Sequence, residues 1–167
     1  MAKEKGQPVK KNGVYTIEIH SLGHSGEGVG RFEDFTIFVP QALPGEKVEV
    51  KVNDVKKNYA KARLLSVKNS SLLRTLPNCL IYDQCGGCQL QHMEYEHQLA
   101  SKRQTVEDAV SRIGKLENIA IHPTLGSENP WYYRNKMQFP IGMQNNKVVM
   151  GCFAQGTHQI VDTDTCL

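Results

Sequence analysis

Three of the five cysteines in this 167-residue chain, Cys79, Cys85 and Cys88, fall within ten residues of one another, and a fourth, Cys166, stands one residue from the end. Thiolates are soft ligands that suit zinc and iron-sulfur clusters, and four of them complete either kind of site. Three neighbours in the spacing C-x5-C-x2-C with one remote partner follow a ferredoxin-type arrangement more closely than the two paired knuckles of a zinc ribbon. The spacing therefore favours a four-iron cluster on Cys79, Cys85, Cys88 and Cys166, with zinc as the alternative. Gly86 and Gly87 let the backbone fold tightly and bring N–H groups near sulfur, where a side chain at positive φ would obstruct. Leu80, Ile81, Tyr82 and Leu90 are available to shield such a centre from water.

Two plainer chemistries use the same residues. Cys-Gly-Gly-Cys ahead of a helix can serve as a thioredoxin-like redox pair, because a helix N-terminus lowers a thiol pKa. No βαβ pattern precedes it here, and Cys79 would be left without a role. Structural disulfides suit an odd count of cysteines poorly, and nothing at the N-terminus resembles a secretion signal, so a cytoplasmic location is expected. His92 and His97 do not align on one helical face and are expected at the surface. Cys152, beside Phe153 in an expected strand, reads as a packed free thiol.

The elements that must position these groups follow from patterning. No apolar run approaches the roughly 18 residues of a membrane span, so no membrane partner is expected. Residues 1–68 carry twelve Lys and Arg against eight Asp and Glu, while residues 69–167 carry eight against nine, so the first part is the better candidate to meet a polyanion. Residues 1–12, with Lys3, Lys5, Lys10 and Lys11, read as a flexible basic arm or a merely solvated tail. From Val14 the pattern is that of a small β-domain over residues 13–68. Tyr15, Ile17 and Ile19 alternate with polar residues, Phe35 to Val39 is an apolar run, Val48, Val50 and Val52 alternate again, and Tyr59 to Val67 makes a last strand. Short strands with turn signals suit a closed OB-like barrel. Gly26-Glu27-Gly28-Val29-Gly30 resembles a nucleotide-binding loop, but such a loop needs a helix after it; strands follow here, so it reads as a barrel turn.

Residues 69–167 read as a small α+β domain. Glu94 to Ile113 is an expected helix whose Leu99, Val106, Val110 and Ile113 share a face for core packing, ended by Gly114. Ile119 to Leu125, Trp131 to Ile141, Lys147 to Phe153 and Gln159 to Val161 read as extended segments of an antiparallel meander, with a hairpin turn at Asn145-Asn146. Two places suit RNA. Lys56, Lys57, Lys61 and Arg63 with Tyr59 among them can neutralise phosphates and stack a base, unless they are only a solvated hairpin. Tyr133, Arg134 and Lys136 gather rings and cations of the kind that recognise an unstacked base, although an aromatic strand with charges on its wet side has the same sequence.

These residues together resemble the N-terminal part of the 23S ribosomal RNA (uracil-5-)-methyltransferases that carry a TRAM domain and an iron-sulfur cluster. The resemblance rests on Gly26 to Gly30, Phe38-Val39-Pro40 with Leu43-Pro44-Gly45-Glu46, the Cys79 to Gln91 block, Arg112-Ile113-Gly114 and Tyr133-Arg134-Asn135-Lys136. It implies a mainly β fold with one long helix, a TRAM barrel for RNA binding, and a [4Fe-4S] cluster on the four cysteines. It also implies ribosomal RNA as partner and S-adenosylmethionine as methyl donor. In the family a cysteine thiolate adds to C6 of a flipped-out uracil, C5 takes the methyl group, and a base removes the C5 proton. No catalytic or S-adenosylmethionine-binding residue is assigned here, and these 167 residues alone are expected to transfer no methyl group. A free-standing RNA-binding module and, less favoured, an iron-sulfur redox protein are the alternatives.

Overall fold

In the computed structural model, residues 7–166 are described. The chain divides into two compact units, the first ending at Arg74 and the second beginning at Thr75. The architecture is the mainly β one with a single long helix.

The first unit is a barrel of β1 (Val14–Leu22), β2 (Gly28–Phe32), β3 (Phe35–Val39), β4 (Lys47–Val55) and β5 (Tyr59–Asn69). The strands close in the order β1-β2-β3-β5-β4, with β4 returning to β1. All pairs are antiparallel except β3 with β5, where β4 supplies the crossover. Period-2 patterning sends Ile17, Ile19, Ile37, Val39, Val48, Val50, Val52, Ala60 and Ala62 inward, each at most 3 % exposed. Each buried isoleucine or valine contributes on the order of 1.5–3 kcal/mol by leaving water. The tight interior explains Gly30, where a Cβ would stand 2.5 Å from the Glu18 carbonyl oxygen. The glycine-rich segment is thus a turn, with Gly26 at φ 83°, running into β2 rather than into a helix.

Part of the expected arm belongs to this barrel. Residues 1–6, including Lys3 and Lys5, lie outside the described residues. Val9, however, is 3 % exposed within the barrel core, Gln7 Nε2 donates to the Lys56 carbonyl at 2.8 Å, and the Asn12 N–H donates to the Val52 carbonyl at 2.8 Å. One valine among lysines is enough to dock the segment, and composition alone does not reveal it.

Leu43-Pro44-Gly45-Glu46 makes a buried polar anchor. Gly45 at φ 84° turns the chain, and the Glu46 carboxylate accepts from the Leu43 N–H at 2.9 Å and from Arg74 Nη2 at 2.8 Å. Arg74 Nη2 also donates to the Gln41 carbonyl at 2.7 Å. Burial alone would raise the Glu46 pKa. The Arg74 hydrogen bond, the Leu43 N–H and the guanidinium charge outweigh it and hold the carboxyl below its ordinary value.

The second unit holds α1 (Tyr95–Asp108), a terminal π-helical turn over Ala109–Ile113, and the strands β6 (Ile141–Gln144), β7 (Lys147–Phe153) and β8 (Ile160–Asp162), paired in that order. Asn145 and Asn146 take φ 49° and 61°, the left-handed pair that a two-residue hairpin turn requires. Three expectations are corrected. Residues 119–125 and 131–140 form no strand, because no neighbouring strand among the described residues pairs with them and Tyr132 breaks the extended run at φ 55°. No residue of the helix is buried; Val106 is 48 % and Ile113 82 % exposed, so its apolar face packs into no core among the described residues. Gly114 stays at φ −71°, and the left-handed step falls on Lys115 at φ 53°.

A candidate metal centre and a candidate nucleic-acid interface

The segment 79–92 folds as consecutive turns. The Tyr82 N–H donates to the Cys79 carbonyl at 3.1 Å and the Cys85 N–H to the Ile81 carbonyl at 2.9 Å, so the chain doubles back between the first two cysteines. Next, the Gly86 N–H donates to the Phe153 carbonyl at 2.9 Å, and Cys85 bridges Ala154, which ties the turn to the end of β7. Gly86 is required for closeness rather than for positive φ: a Cβ there would lie 2.8 Å from the Phe153 carbonyl oxygen. The Gly87 N–H donates to Cys85 Sγ at 3.3 Å, the backbone-to-sulfur contact expected of this pair.

The result is a cavity lined by Cys79, Cys85, Cys88 and Cys166 together, with Ile81, Tyr82 and Arg134 also on its wall. A fifth sulfur, Cys152, lines it too. No Asp or Glu contributes, and the sulfurs share the wall with the neutral Gln91, Thr163 and Thr165, so the anionic donors are all soft and fit a thiolate-ligated group. Among the described residues, no three Cys, His, Asp or Glu side chains converge as ligands of a single metal ion; the sulfurs surround a space instead of a point. Burial pushes the Cys152 thiol up to about 11, with the charge and hydrogen bond of Cys85 adding to it. Cys166 is raised by burial and then by Cys88, partly offset by Arg134. A thiol held protonated in this way must release its proton if it is to ligate a metal.

The surroundings differ from expectation in two respects. Leu80 points fully into solvent, leaving Ile81 and Tyr82 as the shield. His92 is buried at 1 % exposure rather than at the surface, with Nδ1 2.6 Å from the Tyr82 hydroxyl, which itself donates to the Gln89 carbonyl at 2.8 Å. A polar ring is tolerated there because a hydroxyl meets it. His97 is exposed.

On the outer face of the barrel, Phe38 and Tyr59 meet edge to face with ring centroids 5.4 Å apart. Register sets Phe38 opposite Lys61, Thr36 opposite Tyr59 and Arg31, and Lys51 opposite Arg63. The aromatic pair thus shares the outer side of the sheet with Lys61, Arg31, Arg63 and Lys51, and with the acids Asp54 opposite Lys61 and Glu18 opposite Arg31. Lys56 is less available, since it pairs with Asp54 at 2.9 Å, while Lys57 is exposed in the turn.

Comparison with known proteins bears on this unit directly. The family model described as the TRAM domain matches residues 8–65. Residues 8–65 are a TRAM domain. Three uncharacterized RNA methyltransferases are similar along nearly the whole chain. That of Bacillus cereus is 44 % identical over 167 residues, 100 % of this chain and 36 % of the relative. That of Clostridium tetani is 48 % identical over 163 residues, 98 % and 35 % respectively. That of Listeria innocua is 46 % identical over 159 residues, 95 % and 35 %. The chain therefore spans about 36 % of the length of the curated relatives it matches. A solution structure of a conserved protein from Methanococcus maripaludis, 34 % identical with a TM-score of 0.36, covers 39 % of this chain and 93 % of its own.

Within the TRAM barrel, Tyr59, Lys61 and Arg63 do share a face, and the sequence reading missed Phe38, Arg31 and Lys51 beside them. The missed residues lie on other strands, and only the barrel's pairing brings them together. In the second unit, Tyr133 is 68 % exposed with the Arg134 guanidinium 5.8 Å from its ring centroid, and Lys136 is exposed. Arg134, expected to face RNA, also reaches the cysteine cavity.

Proposed function

We propose that this chain is the RNA-recognition and iron-sulfur part of an S-adenosylmethionine-dependent 23S rRNA uracil-C5 methyltransferase acting in the cytoplasm. The observation that carries the reading is the cavity walled by Cys79, Cys85 and Cys88 from the middle of the chain and Cys166 from near its end. These four would hold a [4Fe-4S] cluster, which supplies a rigid cross-link among segments that otherwise share little buried surface. The kinship with RNA methyltransferases supports the class of reaction.

The TRAM barrel would bind single-stranded ribosomal RNA through Phe38 and Tyr59, with Lys61, Arg63, Arg31 and Lys51 on the phosphates. Rings stack on any unpaired base, and the cations draw the backbone. Tyr133, Arg134 and Lys136 form a second contact, in which the ring and the guanidinium already associate.

Two measurements test this. An anaerobic preparation of the chain should contain iron and acid-labile sulfide; stoichiometric zinc without sulfide would replace the cluster with a zinc staple, and a metal-free sample would end the proposal. Affinity for a single-stranded RNA should fall as salt rises, and removing Lys61 and Arg63 together should flatten the log–log slope by about 1.4, roughly 0.7 for each lost phosphate contact. An unchanged slope in that variant would remove the barrel face from the interface.

A further inference from the structure

Residues 131–136 hold a bulky aromatic residue in a backbone conformation that suits it poorly. We infer that Tyr132 is a base-stacking platform: its ring takes one unpaired base of the bound RNA, next to the base taken by Tyr133. This inference rests on the RNA-binding reading above and concerns a residue that the reading leaves without a role.

The backbone argues for it first. Tyr132 takes φ 55°, in the left-handed region, where Cβ crowds the following carbonyl. The other non-glycine residues at positive φ among those described are Asn, Asp, Glu, Gln and Lys, so Tyr132 is the aromatic exception. Burial offers no compensation: the side chain is 71 % exposed, and no described side chain hydrogen-bonds to it or stacks on it. A costly conformation persists only where the surrounding chain imposes it, and such strain collects at ligand contacts. Here the imposing framework is visible. The Ser127 N–H donates to the Tyr95 hydroxyl of α1 at 2.8 Å, Ser127 Oγ donates to the Asn129 carbonyl at 2.8 Å, and the Trp131 N–H donates to Asn129 Oδ1 at 3.1 Å. A Cβ at Gly126 would lie 2.8 Å from Leu99 Cδ1, so the approach to the turn is pressed against the helix. With no buried residue of its own, α1 thus serves as backing for the aromatic turn. Beyond Tyr132, Arg134 Nη1 donates to Met137 Sδ at 3.5 Å while its guanidinium stands by the Tyr133 ring.

Charge selects the occupant. From Asn129 to Val161 the sequence contains no Asp or Glu, while Arg134, Lys136 and Lys147 lie within that run. Two successive open rings with cations and no carboxylate suit a strand whose bases are splayed out and whose phosphates need neutralising. Rings alone would serve a protein partner equally well; the acid-free run of cations is what calls for phosphate. A tyrosine has few torsions to freeze, and one whose backbone is already fixed loses little freedom when a base settles on it.

The test compares the anaerobically purified chain with Tyr132→Asn, which accepts the left-handed backbone and removes the ring, and Tyr132→Phe, which keeps the ring. Affinity for a labelled single-stranded oligouridine is read by fluorescence anisotropy at several salt concentrations. The urea midpoint is followed by the emission of Trp131, the chain's single tryptophan. Tyr132→Asn should bind about tenfold more weakly at every salt concentration, because a stacked base is lost and no phosphate contact is, and its urea midpoint should be no lower than the parent's. Tyr132→Phe should bind within about twofold of the parent, since the stacking face is kept. Unchanged affinity in Tyr132→Asn, an equal loss in Tyr132→Phe, or a urea midpoint lowered by Tyr132→Asn overturns the inference while the RNA-binding reading stands. An unsubstituted chain without affinity for the oligouridine overturns that reading itself.

Discussion

The two units are built from similar numbers of residues and reach stability by different means. The barrel turns every strand into a neighbour of two others, so that its inward side chains are nearly all removed from water and no edge is left open. In the second unit, Tyr82, His92, Met93 and Val149 are the buried residues of any size among those described, whereas Leu76, Leu80 and Leu125 are each at least 88 % exposed. A three-stranded sheet and one helix with no buried residue do not enclose a core. What concentrates order in that unit is the cysteine-lined turn and its ties to β7. The comparison teaches that the barrel is specified by apolar periodicity, and the second unit by a few chemically special residues.

The sharpest way to break this contrast is to remove the iron of the proposed cluster. Its extraction from the anaerobic chain should abolish amide protection over residues 79–92 and along β7 and β8, since the sulfurs there would lose their common centre. Barrel amides in β1 to β5, whose protection comes from the apolar core, should keep theirs. Hydrogen exchange read by mass spectrometry checks both halves at once. If the 79–92 segment stays protected without iron, the turn hydrogen bonds alone hold it, and the second unit is more like the first than its burial suggests.

The same contrast explains what could be read from the sequence. Ile17, Ile19, Val48, Val50 and Val52 alternate strictly, and alternation fixes both strand and facing, so the barrel was legible strand by strand. Its exceptions were single residues whose context is tertiary: Val9 docking a lysine-rich segment, and Phe38 meeting Tyr59 through a parallel pairing that no local pattern announces. In the second unit the hairpin at Asn145-Asn146 was legible because two left-handed residues in succession are a local requirement. The aromatic segment 131–140 was not, because extended residues become a strand only when a partner offers hydrogen bonds. The burial of His92 and the closeness of Cys152 to the other sulfurs escaped for a related reason: spacing along the chain says nothing of a tyrosine hydroxyl or a second thiol brought in by folding.

A smaller effect sharpens the contrast from the barrel side, where the Glu46 carboxylate is a buried charge beside the apolar interior. It is fully withdrawn from solvent, yet Arg74 keeps about a quarter of its side chain exposed, at 24 %. Glu46→Gln keeps the shape and removes the charge, so the Leu43 N–H retains an acceptor while the guanidinium keeps the Gln41 carbonyl and loses its counter-charge. Losing one member of a fully buried pair costs roughly 3–5 kcal/mol; with Arg74 partly hydrated, about 2 kcal/mol is expected, read as a lowered midpoint in urea. The pH dependence has a definite sign. Because the folded-state pKa is lowered, the contribution is complete above the unfolded glutamate value of about 4.3 and is lost as the pH falls through the folded value. The difference in barrel stability between the parent chain and Glu46→Gln should therefore be constant from neutral pH down to about 5 and shrink below about 4. A difference that stays constant throughout the acid range would mean that the amide disturbs packing, and that the charge of Glu46 is not what anchors the Leu43–Glu46 turn.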